Sequence, residues 1–257
     1  MPPRPTLLIL HYDGGAFAGW QRQPNARTVQ AEVEAALERL TGTHARLTGA
    51  GRTDAGVHAI GQAAATTVAE SWEPDALGRA LNALLPGDVW VASACRMAPG
   101  FDPRRHAVER TYCYRIGVDA AARSPFRRRW EWPLGAALDE ARLHAAAALV
   151  RGTHEFRALS AAGQDKPHYR CDVLEAQWQR REDAPGFELW ITADRFLHHM
   201  VRFLVGTMVD IARERRPVSD LADLLGSHDN RRASPPAPAQ GLFLMGVRYP
   251  PRSYAND

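Results

Sequence analysis

Lysine is nearly absent from this chain, so its positive charge is carried almost entirely by arginine. Of 32 Lys and Arg residues in 257, only Lys166 is a lysine, and the pI is about 9.0. Arginine-based charge is typical of RNA or phosphate recognition, because the planar guanidinium group binds phosphate bidentately and stacks on rings. A GC-rich coding bias explains the same skew and agrees with the many Ala, Gly and Pro residues. The composition leaves both explanations open.

Long hydrophobic runs and paired cysteines are missing too. The apolar run near the start is too short for a membrane span and lacks the length and cleavage site of a signal peptide. The run at 196–212 is interrupted by two His and an Arg. The three cysteines, Cys95, Cys113 and Cys171, form no CxxC pair, which argues against a disulfide framework or a zinc knuckle. These absences predict a protein of the reducing cytoplasm.

Several common catalytic motifs are missing as well. The glycines of 49–56 follow G-x-G-x-x-x-x-G, which fits neither the dinucleotide fingerprint nor a P-loop. The stretch HEFRA at 154–158 lacks the second His of a zinc protease helix. His198 and His199 are neighbours, and on a helix they would point to different sides and not share a metal. Serine hydrolase chemistry has no support, since no G-x-S-x-G elbow is present.

Hydrophobic periodicity predicts an α+β fold made of two α/β halves, 1–105 and 106–257. The run TLLILHY is typical of a buried strand, and a helix is expected from a capping Thr28 to a stop at Gly42. Alternating patterns in the second half predict an antiparallel hairpin. Further helices are predicted over 73–86, 138–152, about 196–213 and 219–225; further strands are predicted at 44–51, 61–68, 88–97, 109–118, 171–180, 186–195 and 241–249. The segment 233–241 is interpreted as a mobile Pro-rich loop.

Three arginine clusters stand out, at 102–106, 123–130 and 231–232. Each one taken alone fits a solvated surface. Together, with aromatic residues nearby, they favour a phosphate-binding groove.

The stretch GAGRTDAGVHA, 49–59, places one acid, Asp54, among three glycines. Composition alone favours a glycine-rich turn in which Asp54 bonds local backbone amides. The stretch YDGGAFAGWQRQ, 12–23, adds Phe17 and Trp20 beside two glutamines and an arginine. Aromatic rings in such a turn suit a loop that faces nucleic acid, and this favours a functional reading of Asp54.

These stretches, with RALNALLP, RTYCYRI, FLHHMVRFLVG and GLFLMGV, occur in the order found in TruA-type tRNA pseudouridine synthases, and the chain resembles that family from residue 6 to 249. The resemblance implies a pseudouridine-synthase-like α+β fold with a largely antiparallel sheet flanking a central basic cleft. The segment 101–110 departs from the usual wording. Arg104 still matches, whereas Asp102 and Arg105 would alter local RNA contacts. No role is assigned to the loop 159–169.

The resemblance implies that uridine is isomerised to pseudouridine in the anticodon arm of tRNA, at positions 38, 39 and 40. The family acts without cofactor or metal and usually as a homodimer, so tRNA and a second copy are the expected partners. A non-catalytic tRNA-binding or chaperone module on the same fold is the alternative. A small-molecule enzyme is a third, and the arginine clusters argue against it.

The resemblance also implies the site residues. Asp54 is the expected nucleophile or base, and Arg202 is its expected charged partner, because an arginine in so apolar a helix needs a counter-ion; the alternative for Arg202 is a cation that reaches solvent from a helix end. Arg52 would fill the space of the flipped base or hold its phosphate. Two further assignments leave alternatives open. Tyr112 would hold the flipped uridine, although Tyr114 lies on the same strand face, and Leu244 would form an apolar wall or belong to the ordinary core.

Overall fold

A computed structural model describes residues 5–161 and 168–255 of the chain. The six residues 162–167 of the unassigned loop 159–169 lie outside this description. The described residues form two compact units, the first running to Val108 and resuming at Leu244, the second running from Glu109 to Phe243. The first division lies three residues beyond the predicted end of the first half. The return of the chain to unit 1 at Leu244 differs from the prediction, which assigned everything after 105 to the second half.

The regular elements follow the predicted alternation of strands and helices. In the described residues and in chain order they are β1 (Thr6–Tyr12), α1 (Val29–Thr41), β2 (Thr48–Gly49), β3 (His58–Thr66), α2 (Pro74–Asn82), β4 (Val89–Arg96), β5 (Glu109–Gly117), β6 (Trp132–Pro133), α3 (Glu140–Leu149), β7 (Gly152–Glu155), β8 (Arg170–Arg180), β9 (Gly186–Ala193), α4 (Met200–Ala212), α5 (Ser219–Leu225) and β10 (Leu242–Arg248). Among the helices of residues 5–161 and 168–255, none combines the length and apolarity needed to cross a bilayer.

Strand β1 is the centre of unit 1. It pairs antiparallel with β3 on one side and with β4 on the other, and β2 continues the sheet by pairing with β3. The side chains on both faces of β1 are buried or half-buried, which agrees with the continuous apolar run that predicted the strand. A core cluster of this unit draws on its whole length, including the returning segment: Leu7, Ala50, Ala63, Ala65, Met97, Phe101 and Tyr249.

Helix α1 begins and ends at the residues that the sequence indicated. The Thr28 hydroxyl accepts a hydrogen bond from the backbone N–H of Ala31, and Gly42 adopts the left-handed conformation with φ 70°. These are the two ordinary means of satisfying the unpaired groups at helix ends. The buried side chains Val33 and Leu37 lie one turn apart on one face of the helix.

Unit 2 is an antiparallel sheet with strand order β5-β9-β8-β7, to which β6 adds in parallel beside β5. The predicted hairpin is the pair β8 and β9. Helix α3 packs on β8, on α4 and on α5. Trp178 of β8 is fully buried, and its indole N–H points at the sulfur of Met208 on α4 at 3.3 Å. The largest side chain of this core therefore joins sheet and helix directly.

Two predictions about this unit were wrong. Helix α4 begins at Met200, four residues after the predicted start, because His199 adopts a left-handed conformation with φ 62° that no helix interior allows. The segment 233–241, interpreted as mobile, is held by several contacts. The backbone of Ala237 donates to the carbonyl of Arg202, and the Ser234 hydroxyl receives a hydrogen bond from Arg216.

We expect two helical glycines to respond in opposite directions to alanine. A Cβ on Gly206 of α4 would lie 2.1 Å from the carbonyl oxygen of Pro235, so Gly206→Ala should destabilise the protein by about 1–3 kcal/mol. A Cβ on Gly78 of α2 would meet Val91 at 3.6 Å, an ordinary contact, so Gly78→Ala should stabilise by up to about 1 kcal/mol. Urea denaturation of both variants measures the two changes. A Gly206→Ala protein as stable as wild type would contradict the close contact.

Candidate active site

Asp54 lies in the loop between β2 and β3, and the ends of this loop are tied together. The backbone N–H of Ala50 donates to the carbonyl of Ala63 at 2.8 Å. The side-chain amide of Gln62, itself fully buried, donates to the carbonyl of Gly51 at 2.9 Å. Both bonds link the strand that follows the loop to residues that precede Asp54. The half-buried aspartate therefore lies in a short loop whose two ends are hydrogen-bonded to each other.

The loop between β1 and α1 holds the neighbours of the aspartate. The backbone N–H of Trp20 donates to the carbonyl of Thr53 at 3.1 Å, and the Thr53 hydroxyl lies 2.8 Å from the hydroxyl of Tyr12. On the other side, the N–H of Gly56 donates to the carbonyl of Phe17 at 3.4 Å. Residues on both sides of the acid are thus bound to the same neighbouring loop.

Glycine is required where the two loops meet. A Cβ on Gly19 would lie 2.8 Å from the carbonyl of Thr53, and Gly19 has φ 100°, which L side chains rarely adopt. A Cβ on Gly14 would lie 2.0 Å from the carbonyl of Val57. Because main chain meets main chain at both points, no side chain can be inserted without separating the loops. The glycines that looked like turn signals are also packing surfaces.

The prediction that Phe17 and Trp20 face nucleic acid was wrong. Phe17 is 4% exposed and Trp20 is 3% exposed. The guanidinium of Arg27 lies 4.3 Å from the centre of the Phe17 ring, and the Trp20 indole lies against Gly49, where a Cβ would be 2.6 Å away. The rings fill the space between the two loops. The polar segment 21–23 is exposed, as are Gly15 and Ala16.

Glu34 is a supporting residue that the sequence analysis missed. Its carboxylate is buried within unit 1 and accepts hydrogen bonds from the backbone of Leu47 and the side chain of Gln30, both at 3.0 Å. It also pairs with the exposed Arg22 at 3.3 Å. One acid thus joins α1 to the chain entering β2 and to the β1–α1 loop. The available signal was its place beside Val33 on the apolar face of α1.

The two tyrosines of β5 differ in what they contact. Tyr114 is fully buried, and its hydroxyl donates to the carbonyl of Pro238 at 2.7 Å. Burial raises the pKa of Tyr114 well above its ordinary value, while the positive charge of Arg202 acts in the opposite direction. Tyr112 is 8% exposed, and the centre of its ring lies 4.9 Å from that of Phe196, with the two rings nearly perpendicular. The bond to Pro238 argues against Tyr114 as the substrate tyrosine.

Arg202 is half-buried on the first turn of α4. Its Nε donates to the carbonyl of Ala237 at 2.7 Å, and the N–H of Ala237 donates to the carbonyl of Arg202 at 2.9 Å. These two hydrogen bonds hold the Nε of Arg202 against the loop 233–241. The side chain is therefore held in place by unit 2 and is not a loosely extended cation at a helix end.

His198 and His199 do not lie on different sides of a helix, as was predicted. Both residues precede α4, and their ring centres are 3.9 Å apart at an angle of 37°. The left-handed backbone at His199 permits this arrangement. Adjacent residues on a regular helix would project about 100° apart. The missed signal was that the apolar periodicity of the helix begins only at Met200.

The remaining predicted residues lie in unit 1. Arg52 is exposed and shares the loop of Asp54, whereas Leu244 is 1% exposed at the point where the chain returns to this unit. The burial of Leu244 agrees with an ordinary core role, and its role as an apolar wall stays a prediction. Tyr112 and Arg202 belong to unit 2.

The arginine clusters are not uniform. In 102–106, the Asp102 carboxylate accepts hydrogen bonds from the backbone of Arg104 and Arg105, at 2.8 and 2.9 Å. Partial burial raises the pKa of Asp102, but these hydrogen bonds outweigh it and leave that pKa below its ordinary value. In 231–232, the Nε and Nη2 groups of Arg231 donate to the two carboxylate oxygens of Asp229. Asp102 thus orders its loop by binding main-chain N–H groups, whereas the charge of the Arg231 side chain is paired with that of Asp229.

Comparison with known proteins agrees with the sequence resemblance. The pattern of the tRNA pseudouridine synthase family matches residues 8–103 and 146–250. A protein named tRNA pseudouridine synthase A from Myxococcus xanthus is 42% identical over 94% of this chain and 91% of its own length. Proteins of the same name from Chloroflexus aurantiacus and Moorella thermoacetica are 41% and 40% identical, over 96% and 95% of this chain and 90% and 100% of their own. The chain belongs to the tRNA pseudouridine synthase family, a family of isomerases.

Proposed function

We propose that this protein isomerises uridine to pseudouridine in the anticodon arm of tRNA, at positions 38, 39 and 40, with Asp54 as the catalytic residue. The observation that carries the proposal is the loop of Asp54. Its neighbours Thr53 and Gly56 are bound to the β1–α1 loop, and a family match covers both loops. A catalytic side chain gains from such support, because little conformational entropy is left to lose when substrate binds.

The reaction breaks the bond between C1′ and N1 of the uridine and forms a bond between C1′ and C5. The proton on C5 is lost and a proton is gained at N1, so the product is an isomer and no electrons are exchanged. Asp54 serves as nucleophile or base in this sequence, and both roles require the ionised carboxylate. The uracil must leave its stack to reach the acid, as bases do in other base-modifying enzymes.

The other site residues have supporting roles in the proposal. Arg202 is the proposed charged partner of Asp54. Tyr112 holds the flipped uridine, Arg52 fills the space left by the base or holds its phosphate, and Leu244 provides an apolar wall. Two contacts within unit 2 support the roles of Arg202 and Tyr112: Ala237 positions the arginine, and Phe196 packs on the tyrosine ring.

Replacing Asp54 with Asn should abolish isomerisation while leaving tRNA affinity within a few-fold of wild type. The amide keeps the size of the side chain and cannot act as nucleophile or base, so we expect a loss of roughly 10³-fold or more. Release of tritium from C5 of uridine in tRNA measures the reaction, and filter binding measures affinity.

Asp75→Asn is the matched control, because it removes an equal charge from an exposed aspartate of the same unit. That variant should release tritium at the wild-type rate. Tritium release by Asp54→Asn above a tenth of the wild-type rate would contradict the catalytic assignment. A wild-type protein that binds tRNA and forms no pseudouridine would support the non-catalytic alternative.

Affinity for tRNA should fall steeply as salt concentration rises, because arginine–phosphate contacts release counterions. Arg105→Gln and Arg128→Gln should each reduce the slope of log affinity against log salt by about 1. Arg231→Gln should leave the slope unchanged, because Asp229 already neutralises this guanidinium group. Fluorescence anisotropy between about 50 and 200 mM salt measures the slopes of the wild type and the three variants. A flat response of the wild type would contradict the phosphate-binding surface.

We also propose that the protein works in the cytoplasm and as a homodimer. All three cysteines are free, and burial raises the pKa of the Cys113 thiol to about 12. Thiols in this state suit a reducing compartment. Light scattering should give about twice the chain mass of 28.4 kDa. A single species at the chain mass, across the working range of concentration, would contradict the dimer.

A further inference from the structure

Phe126 is the most exposed large apolar side chain in residues 5–161 and 168–255, at 89%. It lies in the second arginine cluster, residues 123–130, which we call the Phe126 turn. Single apolar residues at a surface are common and need no special explanation. Phe126 differs from such single residues, because its turn is held by hydrogen bonds and ion pairs and carries several exposed arginines.

The main chain of the Phe126 turn is closed by its own hydrogen bonds. The carbonyl of Ser124 accepts from the N–H groups of Arg127 and Arg128, at 3.0 and 2.8 Å. The N–H of Trp130 donates to the carbonyl of Arg127 at 2.8 Å. Phe126 stands at the tip of this turn. Its exposure is therefore a property of an ordered turn and not of a loose chain.

Arg127 anchors the turn to the sheet of unit 2. Its guanidinium bonds Asp119 at 2.9 Å and contacts Glu131 at 3.0 Å. Glu131 is 1% exposed and also pairs with Arg181, which in turn binds Asp183 of the β8–β9 hairpin. The hydrogen bond from Arg127 holds the pKa of Asp119 below its ordinary value. Arg127 thus stabilises the fold through two carboxylates of unit 2.

The other arginines of the turn face outward. Arg123, Arg128 and Arg129 are exposed, and the Arg129 guanidinium lies 5.4 Å from the centre of the Trp130 ring. Three exposed arginines therefore lie within three residues of an exposed apolar ring in the sequence. This combination fits single-stranded nucleic acid, whose bases stack on rings and whose phosphates bind arginine. A second copy of the chain meeting the same turn face to face would bring like charges together.

We infer that the Phe126 turn is a tRNA-binding surface, in which Phe126 stacks on an unpaired base while Arg123, Arg128 and Arg129 bind the flanking phosphates. The inference rests on the proposed function, since it takes tRNA as the ligand. It concerns binding alone and assigns the turn no part in the isomerisation.

Substitutions at position 126 separate stacking from charge and from bulk. Phe126→Ala should weaken binding of an unmodified tRNA transcript roughly 10-fold, the scale of one lost base–aromatic stack. Phe126→Leu should be equally weak because it keeps an apolar side chain without a ring face, and Phe126→Trp should restore affinity. None of the three should change the salt slope, since the ring carries no charge. Fluorescence anisotropy measures affinity, and thermal melting checks the fold.

Leu174→Ala is the control, because Leu174 is another exposed apolar side chain of unit 2, at 40%. Its affinity for tRNA should equal that of wild type. Phe126→Ala affinity within twofold of wild type would overturn the inference, as would wild-type affinity of Phe126→Leu. A loss of affinity accompanied by dissociation into monomers in light scattering would also overturn it and assign the turn to contact between copies.

Failure of this inference is distinguishable from failure of the proposed function. Tritium release by the wild-type protein tests the isomerisation without reference to Phe126. A protein that makes pseudouridine and binds tRNA equally well without the ring refutes the surface alone. A protein that binds tRNA through the ring and makes no pseudouridine refutes the catalytic assignment alone.

Discussion

The contact between the β1–α1 loop and the β2–β3 loop is the constraint on which the candidate site depends. Glycine main chain at 14 and 19 lies directly against the carbonyls of Val57 and Thr53. Hydrogen bonds across the same seam hold the residues on both sides of Asp54. The position of the acid is therefore set by backbone against backbone. Side chains such as Trp20 fill the remaining space between the loops. The buried carboxylate of Glu34 binds the backbone of Leu47 and so holds α1 to the chain that enters β2.

Local signals predicted those parts of the fold that local interactions decide. The cap at Thr28, the stop at Gly42 and the alternation of β8 and β9 each depend on a few neighbouring residues, and the structure confirms them. The very short strands β6 and β7 escaped prediction because two to four residues carry no recognisable period. The start of α4 was predicted too early because apolar residues also precede His199, the left-handed residue after which the helix begins.

Long-range contacts limited what could be predicted of the site. Phe17 and Trp20 lie in a turn-rich stretch, and nothing within that stretch shows that a second loop covers them. Asp54 was singled out through its glycine setting and the family resemblance, since an acid in a flexible segment is otherwise ambiguous. Glu34 was overlooked for the opposite reason. An acid in a helix usually faces water, so its place beside Val33 is a weak signal of burial, and the bonds from Leu47 and Gln30 are what establish it.

The arginine content has a partly structural origin. Arg127 and Arg181 each reach two carboxylates, and they share Glu131. A planar guanidinium group with several donors can bridge two acids in this way, whereas a lysine ammonium is a single point of charge. Such pairs divide the chain's arginines into those that hold the fold and those that face outward. Composition alone could not make this division.

The return of the chain to unit 1 at Leu244 bears on how this protein is made. Tyr249 belongs to the core cluster of that unit and donates its hydroxyl hydrogen bond to Pro103, while the backbone of Ala98 binds Ser253. A ribosome delivers these partners only after the whole of unit 2 has been synthesised. The core of unit 1 therefore stays incomplete until the last residues of the chain have been translated. A chain cut short after Phe243 would carry every proposed polar site residue and still lack the packing that supports the acid.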